Sequence, residues 1–369
     1  MIDAALERRM GFALFAGDLY DGAQRDWYSG QFLKAQLSRL TREGIEIVAI
    51  RGNHDAENAH EATMPLPGML GSAAPETKLL QRYPVAVHGQ SFATKAVTAN
   101  IVQHYPVRVP DRFNIGLLHT ACGQVGHDNY APCNIEDLKM HGYNYWALGH
   151  VHARQVLSQD PWIVFSGVLQ GRHINEEGEK GATFVTVQDG QVQSAELRSF
   201  DVLRWLRMKV DVGGVTSETE GLERVRIALS GAALASEGRM LAVQISLTGE
   251  SSMHAELARA PGRILALARG TAQEVASADD LWIEDVKIDT APPELARWRE
   301  QPGVVGALTQ ALDRPVPIEA ELAEFVQDQL RRTGDTLDAG HPARALADGV
   351  VPKALLAQAR AFVIAELMK

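Results

Sequence analysis

The sequence predicts an α/β protein with a smaller α+β domain behind it. Three observations predict this. Over residues 12–187, short continuous apolar runs alternate with helical or loop stretches, as expected of strands covered on both faces of a layered sheet. Near residue 200 the style changes, and apolar and polar residues begin to alternate singly. The length, 369 residues with 46% apolar side chains, is enough for two or three domains with real cores.

The elements follow in order. Ile2–Arg9 reads as a helix. The strand candidates are Phe12–Ala16, Ile45–Ile50, Val85–His88, Ile115–Leu118, Tyr145–Leu148, Ile163–Phe165 and Ala182–Val187. Between the first two, Phe32, Leu33, Leu37 and Leu40 form a helical stripe that Gly44 closes as a C-cap. Asn134 opens a further helix that stops at Gly142. Beyond residue 200, Leu206, Met208, Val210 and Val212 alternate with polar residues, as do Leu241, Val243, Ile245 and Leu247. These read as strands with one apolar face. Ser217 and Glu220 make a capping box ahead of Leu222, Val225 and Leu229. Ala291-Pro292-Pro293 marks a linker. Two amphipathic helices then run through Ile318–Leu330 and Leu355–Leu367. The expected domains are 1–200, 203–290 and 294–369.

Composition excludes several classes. No apolar run approaches the ~20 residues of a membrane span, and Met1–Phe15 has no signal-peptide pattern, so a cytoplasmic protein with no membrane contact is expected. Two cysteines, Cys122 and Cys133, exclude a disulfide scaffold and a Cys-rich zinc module. The net charge is −10, and both halves are acidic. Nucleic acid held by phosphate neutralisation alone calls for a basic domain. A nucleic-acid role here would need bound cations, local patches or a partner.

Ten of the twelve histidines lie between His54 and His173, so metal or acid–base chemistry belongs to the first domain. Asp18 follows the first apolar run and a glycine. Asn53 and His54 follow the second through Arg51-Gly52. His119 ends the run Ile115–Leu118, and His150 and His152 follow Tyr145–Leu148 and Gly149. Polar residues at the carboxyl ends of strands in such sheets converge on one crevice. Asp, Asn and His together suit manganese, iron or zinc better than calcium.

These motifs resemble those of the calcineurin-like metallophosphoesterases. The residues that carry the resemblance are Gly17-Asp18-Leu19-Tyr20-Asp21, Gly52-Asn53-His54-Asp55, the His119 strand end and Gly149-His150-Val151-His152. Val87–Phe92, Tyr130-Ala131-Pro132-Cys133, Tyr145–His150 and Gln170–Ile174 are similar to the SbcD-type DNA repair exonucleases, and within them to YhaO-like proteins. The resemblance implies a layered β-sandwich flanked by helices, a small α+β capping domain and C-terminal helices. It also implies two divalent ions, most simply manganese, roughly 3.5–4 Å apart. Asp18 would bridge both ions. Asn53, His119 and His150 would complete the second metal, and His152 would serve the first. His54 would be the general acid or transition-state stabiliser, and Asp55 would orient its surroundings. Arg172 and His173 are candidates for contact with substrate phosphate.

The family opens with a strand ending in Asp-x-His, which supplies two ligands to the first metal. No such motif precedes Asp18. The chain is therefore expected either to be a truncated or wrongly started enzyme or to be a degenerate member. As written, it should bind one metal well and hydrolyse phosphodiesters poorly.

Three functions follow. The first is a manganese-dependent DNA nuclease subunit whose C-terminal helices dock an SMC-like ATPase. The second is a phosphodiesterase or phosphatase for small substrates. The third is a metal-poor subunit that recruits partners. A homodimer is also implied by the resemblance, though no residue fixes it. The plainer readings are that His88 is a core histidine, that both cysteines are reduced, inert thiols near the site, that His60, His104, His127 and His141 are surface or loop residues, and that the C-terminal helices pack on their own domain.

Overall fold

The computed structural model describes residues 1–20, 27–57, 66–124, 128–277 and 279–292, together with 324, 327 and 328. The two C-terminal amphipathic helices, the 294–369 domain, His60 and His127 lie outside the described residues, apart from those three isolated positions. Two compact units are present. One comprises residues 1–172 and 178–202, and the other 173–177 and the chain from 203 onward.

The first unit opens with α1 (Ile2–Glu7), β1 (Phe12–Ala16), α2 (Trp27–Arg42) and β2 (Glu46–Ile50). Leu37 and Leu40 of α2 are buried, but Phe32, placed by its spacing on the same stripe, is 59% exposed. At 100° per residue Phe32 falls about 80° outside the arc that Leu33, Leu37 and Leu40 define. The helix ends as its Gly44 suggests. Ile45 N–H reaches Leu40 O at 3.0 Å and Gly44 N–H reaches Thr41 O at 3.1 Å, with Gly44 at φ +75°.

There follow β3 (Glu76–Leu79), β4 (Val85–Gly89), β5 (Phe113–His119), α3 (Ile135–Lys139), β6 (Tyr145–Gly149), β7 (Gln155–Gln159), β8 (Trp162–Phe165), β9 (Gly181–Gln188) and β10 (Gln191–Ser199). A six-stranded mixed sheet has the order β3-β4-β5-β6-β8-β7, parallel from β4 through β8, with β3 and β7 antiparallel at its edges. β1 and β2 form a parallel pair, and β9 and β10 an antiparallel one.

Burial sorts these elements into layers. Val48 and Ile50 of β2 pack with Val87, Ile115, Leu117 and Val164 of the large sheet, joined by Phe12, Leu14, Val185 and Val192. The opposite face of β1–β2 packs through Ala13, Phe15 and Ile47 on Leu37 and Leu40. The opposite face of the large sheet packs through Leu118, Trp146, Leu148 and Phe165 on Val102 and Leu138. The result is helix, sheet, sheet, helix. The continuously apolar strands follow from this arrangement, because the inner strands are covered on both sides. All five residues of β1 are only half-buried, and β2 is its one strand partner among the described residues. α3 starts with a full capping box. Asn134 Oδ1 accepts Asp137 N–H and Asp137 Oδ2 accepts Asn134 N–H, both at 2.9 Å.

The second unit contains β11 (Leu203–Asp211), α4 (Glu218–Ala235), β12 (Met240–Glu250), α5 (His254–Arg259), α6 (Pro261–Val275) and β13 (Leu281–Ala291). Its three strands are parallel in the order β11-β12-β13 and are joined through the helices. Val210, Val243, Ile245 and Ile283 face Val225, Leu229, Ile264 and Ala268 of α4 and α6 in one core. The expected alternation holds on β11. On the central strand β12, Ala242 and Gln244 of the other face are buried too.

Candidate metal centre

The site is built on the carboxyl ends of four parallel strands. β1 runs into Gly17 and Asp18, β2 into Arg51–His54, β5 into His119 and β6 into His150. Gly17 has φ +91° and Asp18 φ +52°, so the chain reverses sharply as it leaves β1. A Cβ at Gly17 would lie 2.6 Å from Gly52 N and 2.7 Å from His119 Nδ1, so only glycine lets the three strand ends meet. Outside glycine, Asp18 and His150 (φ +94°) both occupy a backbone region that L-residues avoid, a strain characteristic of functional sites.

The geometry at His119 decides the chemistry. Its ring is fully buried, and Nδ1 lies 2.8 Å from Ala16 O. A carbonyl only accepts, so Nδ1 carries the proton, and Nε2 of the neutral ring is a lone pair. That lone pair faces Asn53 Oδ1 at 2.9 Å and Asp18 Oδ2 at 3.4 Å. Asp18 Oδ2 is buried with no hydrogen-bond partner. Three acceptors thus meet with no hydrogen between them. A cation, a second proton on His119 or the Asn53 amide turned to present its NH₂ would answer those acceptors.

His150 completes the group. Ligand atoms of Asp18, His119 and His150 lie within 4.8 Å of one another. Its Nε2 is 3.0 Å from Asp128 O, so Nε2–H donates there and Nδ1 carries the lone pair. The backbone carbonyls of Ala16 and Asp128 therefore fix the tautomers of both rings, as outer partners of metal-binding histidines do. Phe92 and Tyr130 set ring edges against His119 and His150, at centroid distances of 5.3 and 5.5 Å.

Asp18 Oδ1 accepts the His54 N–H at 3.0 Å. Burial opposes ionisation of Asp18, but once His119 carries a second proton its donating, positively charged ring, with the His54 amide, outweighs burial and holds the carboxyl below its ordinary value. Asp55 is buried. Its two oxygens accept the Tyr20 and Gly52 N–H groups at 3.0 Å each, tying the turn after β1 to the turn after β2. Burial raises its carboxyl above the usual range.

The remaining sequence candidates are distributed differently. Among the described residues His152 is not in the convergent group, and its Nδ1 lies 3.4 Å from the Arg172 guanidinium. His173 belongs to the second unit. Its Nδ1 accepts Asn175 N–H at 3.2 Å and its Nε2 approaches Glu176 at 3.7 Å, so the ring caps its own short turn, Ile174–Glu176. The Ala16 and Asp128 carbonyls had no signal in the sequence, since every residue carries a carbonyl.

A layered sheet with acceptors converging at its strand ends has the architecture of a metallophosphoesterase, and comparison with known proteins agrees. The family model for calcineurin-like phosphoesterases matches residues 9–154, and that for the middle domain of metallophosphoesterase YhaO matches residues 205–291. The chain is 33% identical over 329 residues to the "Uncharacterized metallophosphoesterase YhaO" of Bacillus subtilis, covering 85% of this chain and 78% of that protein. It is 23% identical over 252 residues to the DNA double-strand break repair protein Mre11 of Thermoplasma acidophilum, covering 61% of this chain and 65% of that one. Against Mre11 of Sulfurisphaera tokodaii it is 23% identical over 239 residues, 60% of each chain. The match thus spans less than two thirds of either Mre11 relative. The chain belongs to the YhaO-like calcineurin-like metallophosphoesterases, a family of phosphoester hydrolases that typically binds divalent metals. No helix among the described residues is long and apolar enough to cross a membrane.

Proposed function

We propose that this chain is a divalent-metal-dependent phosphodiesterase acting on DNA ends, with manganese the metal that the family resemblance favours among the manganese, iron and zinc its donor set suits. One observation carries the reading: the His119 lone pair, Asn53 Oδ1 and the partnerless Asp18 Oδ2 face one another with no hydrogen to share. Asp18, Asn53, His119 and His150 would hold the metal, and His152 is the ligand left for a second ion. When bound, a divalent ion neutralises the phosphate and lowers the pKa of a water. The chain's own side chains supply the rest. His54, held beside Asp18 through its amide, would donate the proton to the leaving oxygen. Asp55 would keep the two turns in register, and Arg172 would bind substrate phosphate.

DNA as substrate rests on the two Mre11 relatives. The acidic balance of the chain supports sharing the DNA with a partner, and an SMC-like ATPase docked on the C-terminal region is the partner the family resemblance favours. The test is hydrolysis of an end-labelled duplex and of bis(p-nitrophenyl) phosphate in Mn²⁺. Both should be cut slowly, since His152 alone is left for a second ion, and His54→Ala should slow both by about 10²-fold or more without weakening Mn²⁺ binding. Cleavage of the small ester alone would move the chain to the small-substrate phosphodiesterases. Cleavage of neither, with Mn²⁺ bound, would leave a partner-binding subunit.

A further inference from the structure

Cys122 and Cys133 are both buried and reduced. Cys122 stands three residues beyond His119 in a left-handed turn, φ +43°. Cys133 closes the stretch that begins at Asp128. The two stretches are held side by side. Ala121 N–H donates to Tyr130 O at 3.1 Å. The Thr120 hydroxyl donates to Ala131 O at 2.8 Å, accepts Cys122 N–H at 2.9 Å and lies 3.4 Å from Cys133 Sγ. The Thr120 hydroxyl thus sits against both the Cys122 amide and the Cys133 sulfur, and Cys122 holds Cys133 below the usual thiol range while Cys133 and burial push Cys122 up. The same stretch that ends in Cys133 carries the Asp128 carbonyl that fixes the His150 tautomer and the Tyr130 ring that packs on it.

We infer that Cys122 and Cys133 form a reversible intramolecular disulfide, and that closing it loosens the metal centre by shifting Asp128 and Tyr130 away from His150. The disulfide stands on the thiol geometry. Its coupling to metal rests on the reading proposed above. The oxidant is a peroxide. The Cys133 thiolate attacks it, an S–O bond forms, the O–O bond breaks, and the departing hydroxide takes a proton from solvent and leaves as water. The Cys122 sulfur then attacks the resulting sulfenic acid. The S–S bond forms, the S–O bond breaks, and the Cys122 proton leaves with the oxygen as a second water. Two electrons pass from the sulfurs to the peroxide, and a dithiol returns them.

The test uses the whole chain, reduced and then treated with hydrogen peroxide, with alkylation under denaturing conditions and peptide mass mapping. Two alkylatable thiols should become none, with the Cys122 and Cys133 peptides linked within one chain, and dithiothreitol should restore both. Mn²⁺ affinity, by calorimetry, should fall on the order of 10-fold on oxidation, the scale of losing an outer partner of a metal-binding histidine. It should recover on reduction. Cys133→Ser and Cys133→Ala should keep their Mn²⁺ affinity through peroxide treatment. Two thiols still alkylatable after peroxide, or a linkage between chains, would overturn the disulfide. A disulfide with unchanged Mn²⁺ affinity would overturn the coupling. Absence of Mn²⁺ binding by the reduced chain would defeat the metal reading and the coupling with it, while the thiol count would still decide the disulfide.

Discussion

Two fully buried histidines stand on adjacent parallel strands, His88 on β4 and His119 on β5, and their surroundings are opposites. Around His88 every donor meets an acceptor. Nε2–H points to Asn114 Oδ1 at 3.0 Å, and Nδ1 accepts the Thr77 hydroxyl at 2.8 Å. Asn114 spends its amide hydrogens on Val109 O and Arg112 O, which fixes its oxygen toward the ring. The imidazole stacks on Tyr143 with centroids 4.3 Å apart. Around His119 one nitrogen is satisfied and the other faces two oxygens. Burial and residue type are the same at both. Complementarity separates them: a closed polar network specifies a core, and an open set of acceptors in the same interior is a place for a cation.

The largest expected effect breaks the open set. His119→Ala should weaken Mn²⁺ binding by at least about 100-fold, since a direct ligand should matter more than the outer partners whose loss costs 10–100-fold. Calorimetric titration reads this directly. Metal-free stability should change by less than about 1 kcal/mol, because the lost packing is offset by removing a crowd of like acceptors. Full-strength binding in this variant would mean that the convergence is accidental.

His88→Ala should give the reverse pattern. It leaves the Thr77 hydroxyl without its acceptor and a cavity beside Tyr143. A loss of about 3 kcal/mol in urea unfolding is expected, with Mn²⁺ affinity unchanged per folded molecule. Should metal affinity fall with stability, the two networks are one, and the contrast between them fails.

Asp55→Asn is a smaller perturbation that joins the two lessons. Each carboxylate oxygen accepts one backbone N–H, and an amide has only one oxygen to offer them. The second N–H would then face an NH₂ group, costing about 1–2 kcal/mol. Because that bond ties the Asp18 turn to the Asn53 turn, Mn²⁺ affinity should drop only a few-fold and kcat should follow it. An unchanged affinity would mean that the turns hold their spacing without the bridge.

What could be read from the sequence was position along strands. Asp18, Asn53, His119 and His150 each follow an apolar run, and a parallel sheet brings such ends together. Direction could not be read. His150 and His152 are two residues apart, yet one ring joins the cluster and the other meets Arg172, because φ +94° at His150 turns the chain between them. His173, a candidate for phosphate contact, has its Nδ1 committed to capping its own turn, which its spacing did not show. Cys122 and Cys133 meet through a bond from Ala121 to Tyr130 and the Thr120 hydroxyl, tertiary contacts that no spacing encodes. Phe32 stands beside Leu33 in the sequence and is nevertheless exposed, since it lies outside the arc that Leu33, Leu37 and Leu40 define.

The smallest effect is in pH. Burial lowers the His88 pKa below its ordinary 6.5, against the pull of its bond to Asn114, and His141 adds to the lowering. Above that ordinary value both the folded and the unfolded chain keep the ring neutral, so His88 adds no pH dependence. As pH falls through 6.5 the unfolded chain takes up a proton that the folded chain refuses, and stability declines by up to about 1.4 kcal/mol per pH unit. The decline stops once the folded-state value is passed. His88→Gln removes the titrating group while leaving an amide in reach of Thr77 and Asn114. The stability of wild type minus that of the variant, from urea midpoints between about pH 5 and pH 7, should therefore shrink on acidification. It should shrink equally with and without Mn²⁺, because no bond among those described links His88 to the acceptors around His119. A difference that stays flat with pH would mean that the folded ring takes up its proton as readily as the unfolded one. One that depends on Mn²⁺ would mean that the closed network and the open one communicate across β4 and β5.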